Sequence, residues 1–193
     1  MVGEWKCQRV ITQVEGDKYM AEQAWRGLGG NTKIEFGAES TSKNANIERF
    51  LTRYTTTPPE QSNNNGGYVV LDRAFELEQR SLQPSKLNKE TKNTWTFGNR
   101  SNNQITVVQR IIEPPTDQGF GFTELYRLDD GFVVRAAQVK RRYRRAFDPN
   151  DKTRRVVEGL EIMKTYRVLD GVAGTEIPTS VTKSQIRMTR PQE

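Results

Sequence analysis

The chain contains no histidine and a single cysteine, Cys7. Without histidine the commonest general base and metal ligand is missing, which excludes a Ser-His-Asp triad, a Cys-His dyad and a His-based zinc site. One cysteine excludes an internal disulfide and a cysteine-rich metal centre. No run of about 18 apolar residues occurs, so no membrane-spanning helix is expected. Apolar residues are sparse altogether, at 34% with a mean hydropathy of −0.80. That suits a sheet with one buried and one polar face better than a packed α/β enzyme. The 3 Trp, 6 Tyr and 8 Phe are spread along the chain and argue for a core rather than for disorder. The start, Met1-Val2-Gly3-Glu4-Trp5, leads straight into patterned sequence, so no signal or transit peptide is expected in it.

What is there is mostly period-two alternation, the mark of a strand. Glu4 to Val14 alternates, with Trp5, Cys7, Arg9 and Ile11 on one face. The stretch 15–46 is weakly patterned and is expected to form a lid, with a short helix over Met20 to Leu28. Ile47 to Thr57 reads as a second strand, ended by Pro58-Pro59, and the Asn/Gly-rich stretch Gln61 to Gly67 as a loop. Tyr68 to Leu77 reads as the clearest strand, with Val69, Leu71, Arg73, Phe75 and Leu77 on one face. Further strands are expected over Thr94 to Phe97, Gln104 to Glu113, Phe120 to Leu128, Phe132 to Arg145, Thr153 to Leu169 and Ser180 to Thr189. Turns are expected at Asn99 to Asn103, Asp129-Asp130-Gly131 and Asp148-Pro149-Asn150-Asp151, because Asp, Asn and Gly tolerate positive φ. A helix is the rival reading for 156–168. About nine strands without a crossover helix predict one all-β domain over residues 1–193, an antiparallel meander curled into a barrel.

Charge is concentrated rather than spread. Between Val139 and Arg155 stand Lys140, Arg141, Arg142, Arg144, Arg145, Lys152, Arg154 and Arg155 against Asp148 and Asp151, which equals the entire formal net charge of +6. The chain reads as a neutral body with a protruding basic hairpin over 139–155. Three readings fit it: a solvated strand tip, a docking patch for an acidic protein or an anionic lipid surface, or a nucleic-acid contact. The last is disfavoured by the scarcity of nearby aromatics and the lack of a binding fingerprint. Arg9 and Arg73 stand on the apolar faces of their strands, and a buried arginine requires a counter-charge. Either an internal carboxylate such as Glu124 supplies it, or a ligand carboxylate in the barrel does. No spacing pairs Glu124, Glu158 and Glu161 into a catalytic dyad, and no catalytic residue is predicted.

Gly3-Glu4-Trp5 ahead of the first strand resembles the G-x-W pattern of the calycin superfamily, which includes the lipocalins. The resemblance implies a barrel closed by an arginine of the last strand packed over Trp5, with Arg187 as first choice and Arg190 as second. Trp5-Lys6-Cys7-Gln8-Arg9 is similar to the first strand of S-type phycobiliprotein lyases, with Cys7 where those proteins tend to have serine. That likeness implies a linear tetrapyrrole, or another hydrophobic ligand, in a cavity. A broader resemblance links Val69 to Phe75, Glu124-Leu125-Tyr126-Arg127, Arg142 to Arg145, Lys164-Thr165-Tyr166-Arg167 and Pro178 to Ser184 to an uncharacterised family of cyanobacteria and plastids. It implies a photosynthetic setting at the thylakoid.

These readings together predict a calycin-like antiparallel β-barrel with a partial lid. Its cavity is expected to be lined by Trp5, Arg9, Arg73, Glu124, Tyr126, Tyr166 and Arg187. The expected function is that of a non-enzymatic accessory or assembly protein of the photosynthetic apparatus, docking through the basic hairpin onto an acidic protein surface or a membrane complex. Bilin binding and transfer is the alternative.

Overall fold

A computed structural model of the chain describes residues 1–30, 46–56, 69–80, 94–97, 103–169, 172–173 and 177–191. The fold is all-β: one antiparallel sheet curled into a half-barrel, with two short helices. The strands are β1 (Gly3–Gly16), β2 (Ile47–Thr56), β3 (Val69–Leu71), β4 (Thr94–Phe97), β5 (Asn103–Thr116), β6 (Gly119–Asp129), β7 (Val134–Asp148), β8 (Asp151–Leu169), β9 (Val172–Ala173) and β10 (Ser180–Thr189). Their order is β3-β2-β1-β10-β8-β7-β6-β5-β4, with β9 beside β8. Neighbours along this path follow chain order except at β10, which returns to pair with the first strand, β1, on one side and with β8, past the short β9, on the other. That is the meander the alternation predicts, and 156–168 belongs to a strand. Between β3 and β4 no pairing closes the ring among the described residues.

Two stretches depart from the sequence reading. Tyr68 to Leu77 is not one strand: β3 stops at Leu71, and helix α2 (Arg73–Arg80) follows. Asp72 starts it, its Oδ1 accepting a hydrogen bond from the Phe75 amide at 3.1 Å, and the run Ala-Phe-Glu-Leu-Glu-Gln has good helix propensity. The helix places Arg73, Glu76 and Leu77, at i, i+3 and i+4, inside the curl. The expected lid contains helix α1 (Lys18–Gly27), which is core rather than cover. Asp17 caps it by accepting from the Met20 amide at 3.1 Å, and Ala21, Ala24 and Trp25 are buried against strands β1, β5, β6, β7, β8 and β10. A smaller departure is that Pro114-Pro115 does not end β5, because an irregularity between Glu113 and Thr116 absorbs both prolines. The loop expected over 61–67, the Pro58-Pro59 stop and most of the turn at 99–103 lie outside the described residues.

The interior has two apolar clusters. At the α1 end Ile11, Trp25, Leu28, Leu77, Ile105, Tyr126, Leu128, Val139 and Met163 pack together. At the other end lie Trp5, Cys7, Tyr54, Leu71, Phe122, Tyr143, Val157, Ile186 and Met188. In the latter the Tyr54 hydroxyl bonds the Tyr143 hydroxyl at 2.8 Å, and Phe120 stacks on Tyr143 with ring centroids 5.1 Å apart. Burial pushes the Cys7 thiol up to about 12, so it is a packing residue. The barrel's β1–β10 junction is closed by Arg190, whose guanidinium lies 4.1 Å over the Trp5 ring and donates to the carbonyls of Val2 and Glu4. Gly3, at φ +104°, leaves room for it, since a Cβ there would meet Arg190 Nη1 at 2.7 Å. The first choice for this arginine was Arg187. It points outward instead and pairs with Asp148 at 2.9 Å, because alternation on β10 sends Ile186 and Met188 inward. No helix among the described residues is long and apolar enough to cross a membrane.

Candidate functional site

Between the two apolar clusters runs a layer of charge. On strand after strand an inward apolar side chain is followed, two residues on, by an ionised one and then by an apolar one again: Cys7-Arg9-Ile11, Phe122-Glu124-Tyr126 and Val139-Arg141-Tyr143. Register sets opposite signs face to face. Arg9 is directly across from Glu48, Arg141 from Glu161 and Arg110 from Glu124. Arg9 donates to Glu48 Oε2 from Nη2 at 2.5 Å and to Glu161 Oε1 from Nη1 at 3.0 Å. Arg141 Nε reaches the other Glu161 oxygen at 2.6 Å. From α2, Arg73 binds Glu76 at 2.5 Å and Glu124 at 3.1 Å, and also bonds the Tyr126 hydroxyl, which in turn donates to Glu124. Arg110 completes Glu124 at 2.6 Å. Four arginines face four glutamates, so the layer is neutral as a whole.

The electrostatics follow from that pairing. Burial alone pulls the Arg9 guanidinium towards neutrality, but Glu161 and Glu48 more than offset it and its pKa rises. Arg73 behaves alike, with Tyr126, Glu76 and Glu124 outweighing burial. Burial pushes the Glu124 carboxyl up, and Arg73 and Arg110 together pull it below its ordinary range. Aromatic faces finish the enclosure: the Arg9 guanidinium sits 3.9 Å from the Trp25 ring centroid and that of Arg73 lies 5.0 Å from Tyr126.

Of the residues expected to line a cavity, Arg9, Arg73, Glu124 and Tyr126 therefore come together, each bonded to protein groups. Trp5 is in the apolar cluster at the far end. Tyr166 falls on the opposite face of β8 from Met163 and Thr165, and Arg187 is on the outer face. The sequence reading assigned Arg141 to the docking surface, put Glu76 on the face of its strand opposite Arg73, and did not place Glu48; helix α2 instead buries Glu76 against Arg73. The apolar-charged-apolar triplet at i−2, i and i+2 on an inward face is the signal that finds Arg141.

Outside, the basic hairpin divides in two. Lys140 and Arg142 pair with Glu113 at 3.1 and 3.0 Å, and Arg144 pairs with Glu158 at 2.8 Å. With Arg141 inside, four of the eight cations thereby contact a carboxylate, Lys140 and Arg142 sharing that of Glu113. Arg145, Lys152, Arg154 and Arg155 are exposed, and none forms an ion pair among the described residues. They sit where the β7–β8 pair outruns its neighbours: β6 reaches β7 only as far as Tyr143, and β10 reaches β8 only as far as Val157. The hairpin continues alone to Asp148 opposite Asp151 and is tied back through Asp148 to Arg187. Beside it the outer face holds a cavity of about 930 Å³ lined by Val10, Glu113, Arg142, Arg144, Glu158 and Leu160, among others. Among the described residues no cluster of His, Cys, Asp and Glu fits a metal ion.

No family model, curated protein or solved structure matches this chain.

Proposed function

We propose that the protein is a non-enzymatic accessory or assembly factor of the photosynthetic apparatus, docking through the overhanging β7–β8 tip onto an acidic protein surface. One observation carries this reading. Arg145, Lys152, Arg154 and Arg155 crowd a hairpin end that leaves the sheet, while Lys140, Arg142 and Arg144 nearer the barrel each contact a carboxylate. These four cations outnumber the tip's two carboxylates, Asp148 and Asp151, and an acidic partner relieves the repulsion of the excess charge while steering the encounter. The photosynthetic, thylakoid-associated setting rests on the resemblance of residues 69–75, 124–127, 142–145, 164–167 and 178–184 to a family of cyanobacteria and plastids. A pigment-like or other hydrophobic ligand inside the barrel has less support, because Arg9 is held by Glu48 and Glu161, and Arg73, Glu124 and Tyr126 are bonded to one another.

Binding of the full chain to immobilised photosynthetic membrane complexes tests the proposal. Replacing Arg145, Lys152, Arg154 and Arg155 together by glutamine should weaken retention by about tenfold or more, and added salt should do the same to the wild type. Replacing the paired Lys140 and Arg142 should have a much smaller effect. Equal losses from both sets would refute tip docking, and uptake of an added bilin with transfer to a client protein would point to the lyase activity instead.

A further inference from the structure

The end of the barrel opposite the basic tip carries apolar side chains in water. Phe132 is 95% exposed, Ile177 83%, Tyr19 62% and Val133 47%. Topology gathers them on one rim. Tyr19 opens α1 where β1 ends, Ile177 stands just before β10, and Phe132 and Val133 form the β6–β7 turn. Strands β1, β10, β8, β7 and β6 are successive neighbours, so at about 4.8 Å per strand the rim spans an arc of about 20 Å.

The exposure is built in rather than left over. Asp129 Oδ1 accepts the Gly131 amide at 2.9 Å, and Asp130 Oδ1 accepts those of Phe132 and Val133 at 2.9 and 2.8 Å. Asp130 in turn holds Arg135 at 2.7 Å. A turn bonded this tightly fixes the phenyl ring outward. Ile177 is anchored two residues on, where the Thr179 amide donates to the Thr165 carbonyl at 2.8 Å and the Asp17 amide donates to that of Thr179 at 2.9 Å. Several ionised neighbours are paired, Arg127 with Asp129, Arg135 with Asp130 and Arg26 with Glu22, while Lys18 and Arg167 are exposed.

A stable protein partner needs a continuous complementary patch of about 800 Å² on each side. Here the apolar groups belong to three separate connections: Tyr19 after β1, Phe132 and Val133 between β6 and β7, and Ile177 before β10. A fluid bilayer interface accepts such prongs one by one and favours aromatic rings at headgroup depth. We propose that this rim seats the protein on a lipid bilayer by shallow insertion of Phe132 and Ile177, with Tyr19 and Val133 at the headgroup boundary. Because apolar insertion carries the contact, it persists at high salt. It does not rest on the tip's function, since the tip lies at the other end of the barrel.

Flotation of the full chain with phosphatidylcholine vesicles, which carry no net charge, tests this at high salt, where the tip is silenced. The wild type should float. Phe132→Ser with Ile177→Ser should lower the bound fraction about tenfold without moving the melting curve. The variant with four neutralised tip cations should float like the wild type. A wild-type protein that stays with the soluble fraction overturns the proposal, as does a double variant that floats equally well. Self-association abolished by the double variant, without vesicle binding, would assign the rim to a second copy of the chain and also overturn it.

Discussion

Glu161 shows how much one side chain can hold. It bonds Arg9 at 3.0 Å and Arg141 at 2.6 Å, and all three are nearly inaccessible to water. Buried ion pairs gain little over apolar packing of the same shape, yet removing one partner leaves a charge stranded in a poor solvent. Glu161→Ala strands part of two guanidinium groups at once. It should lower unfolding free energy by about 3–5 kcal/mol, read from urea denaturation. A loss under about 1 kcal/mol would mean that water already reaches the layer. Such a layer contributes specificity: a one-residue slip of any strand would turn its charge outward and its partner's into an orphan.

At the scale of elements, α1 does what a further strand cannot: it fills the end of the curl with a large side chain. Trp25 is 2% exposed and covers Arg9. Trp25→Ala should cost about 3–5 kcal/mol by the same denaturation measurement, the range for emptying a large aromatic site. Most strands were legible from alternation, and β4 and β10 fall on their expected bounds. The failure at α2 is instructive. Val69, Leu71, Arg73, Phe75 and Leu77 satisfy a two-residue period, while Arg73, Glu76 and Leu77 satisfy a helical one, and only the cap at Asp72 breaks the tie. Arg9 and Arg73 were legible as buried charges needing partners. Arg141 was not, because it sits in a run of cations, Lys140 to Arg145, whose alternation hides one inward member among outward ones. Glu48 and Glu76 are ordinary in sequence and gain meaning only from register and from the helix.

For the whole molecule, acid is the informative stress. Glu124 is held below its ordinary value against burial by Arg73 and Arg110, and Asp130 is held at about 2, chiefly by its bond to Arg135. Carboxyls whose folded pKa is depressed contribute stability that is complete above the unfolded value and lost as pH falls through the folded one. Melting temperature should therefore be flat between about pH 5 and pH 8 and should fall between about pH 4.5 and pH 2. A protein stabilised by acidification would contradict the pairing in the layer.

The two ends of the molecule differ in kind, one cationic and overhanging, the other carrying exposed apolar side chains, with a charge-paired interior between them. In this account interior charges hold the fold and tip charges hold the partner. The most direct test is the variant with Arg145, Lys152, Arg154 and Arg155 changed to glutamine, followed in parallel by thermal melting and by retention on immobilised photosynthetic membrane complexes. We expect an unchanged melting temperature and retention lowered by about tenfold or more. Full retention by a correctly folded variant would contradict the account.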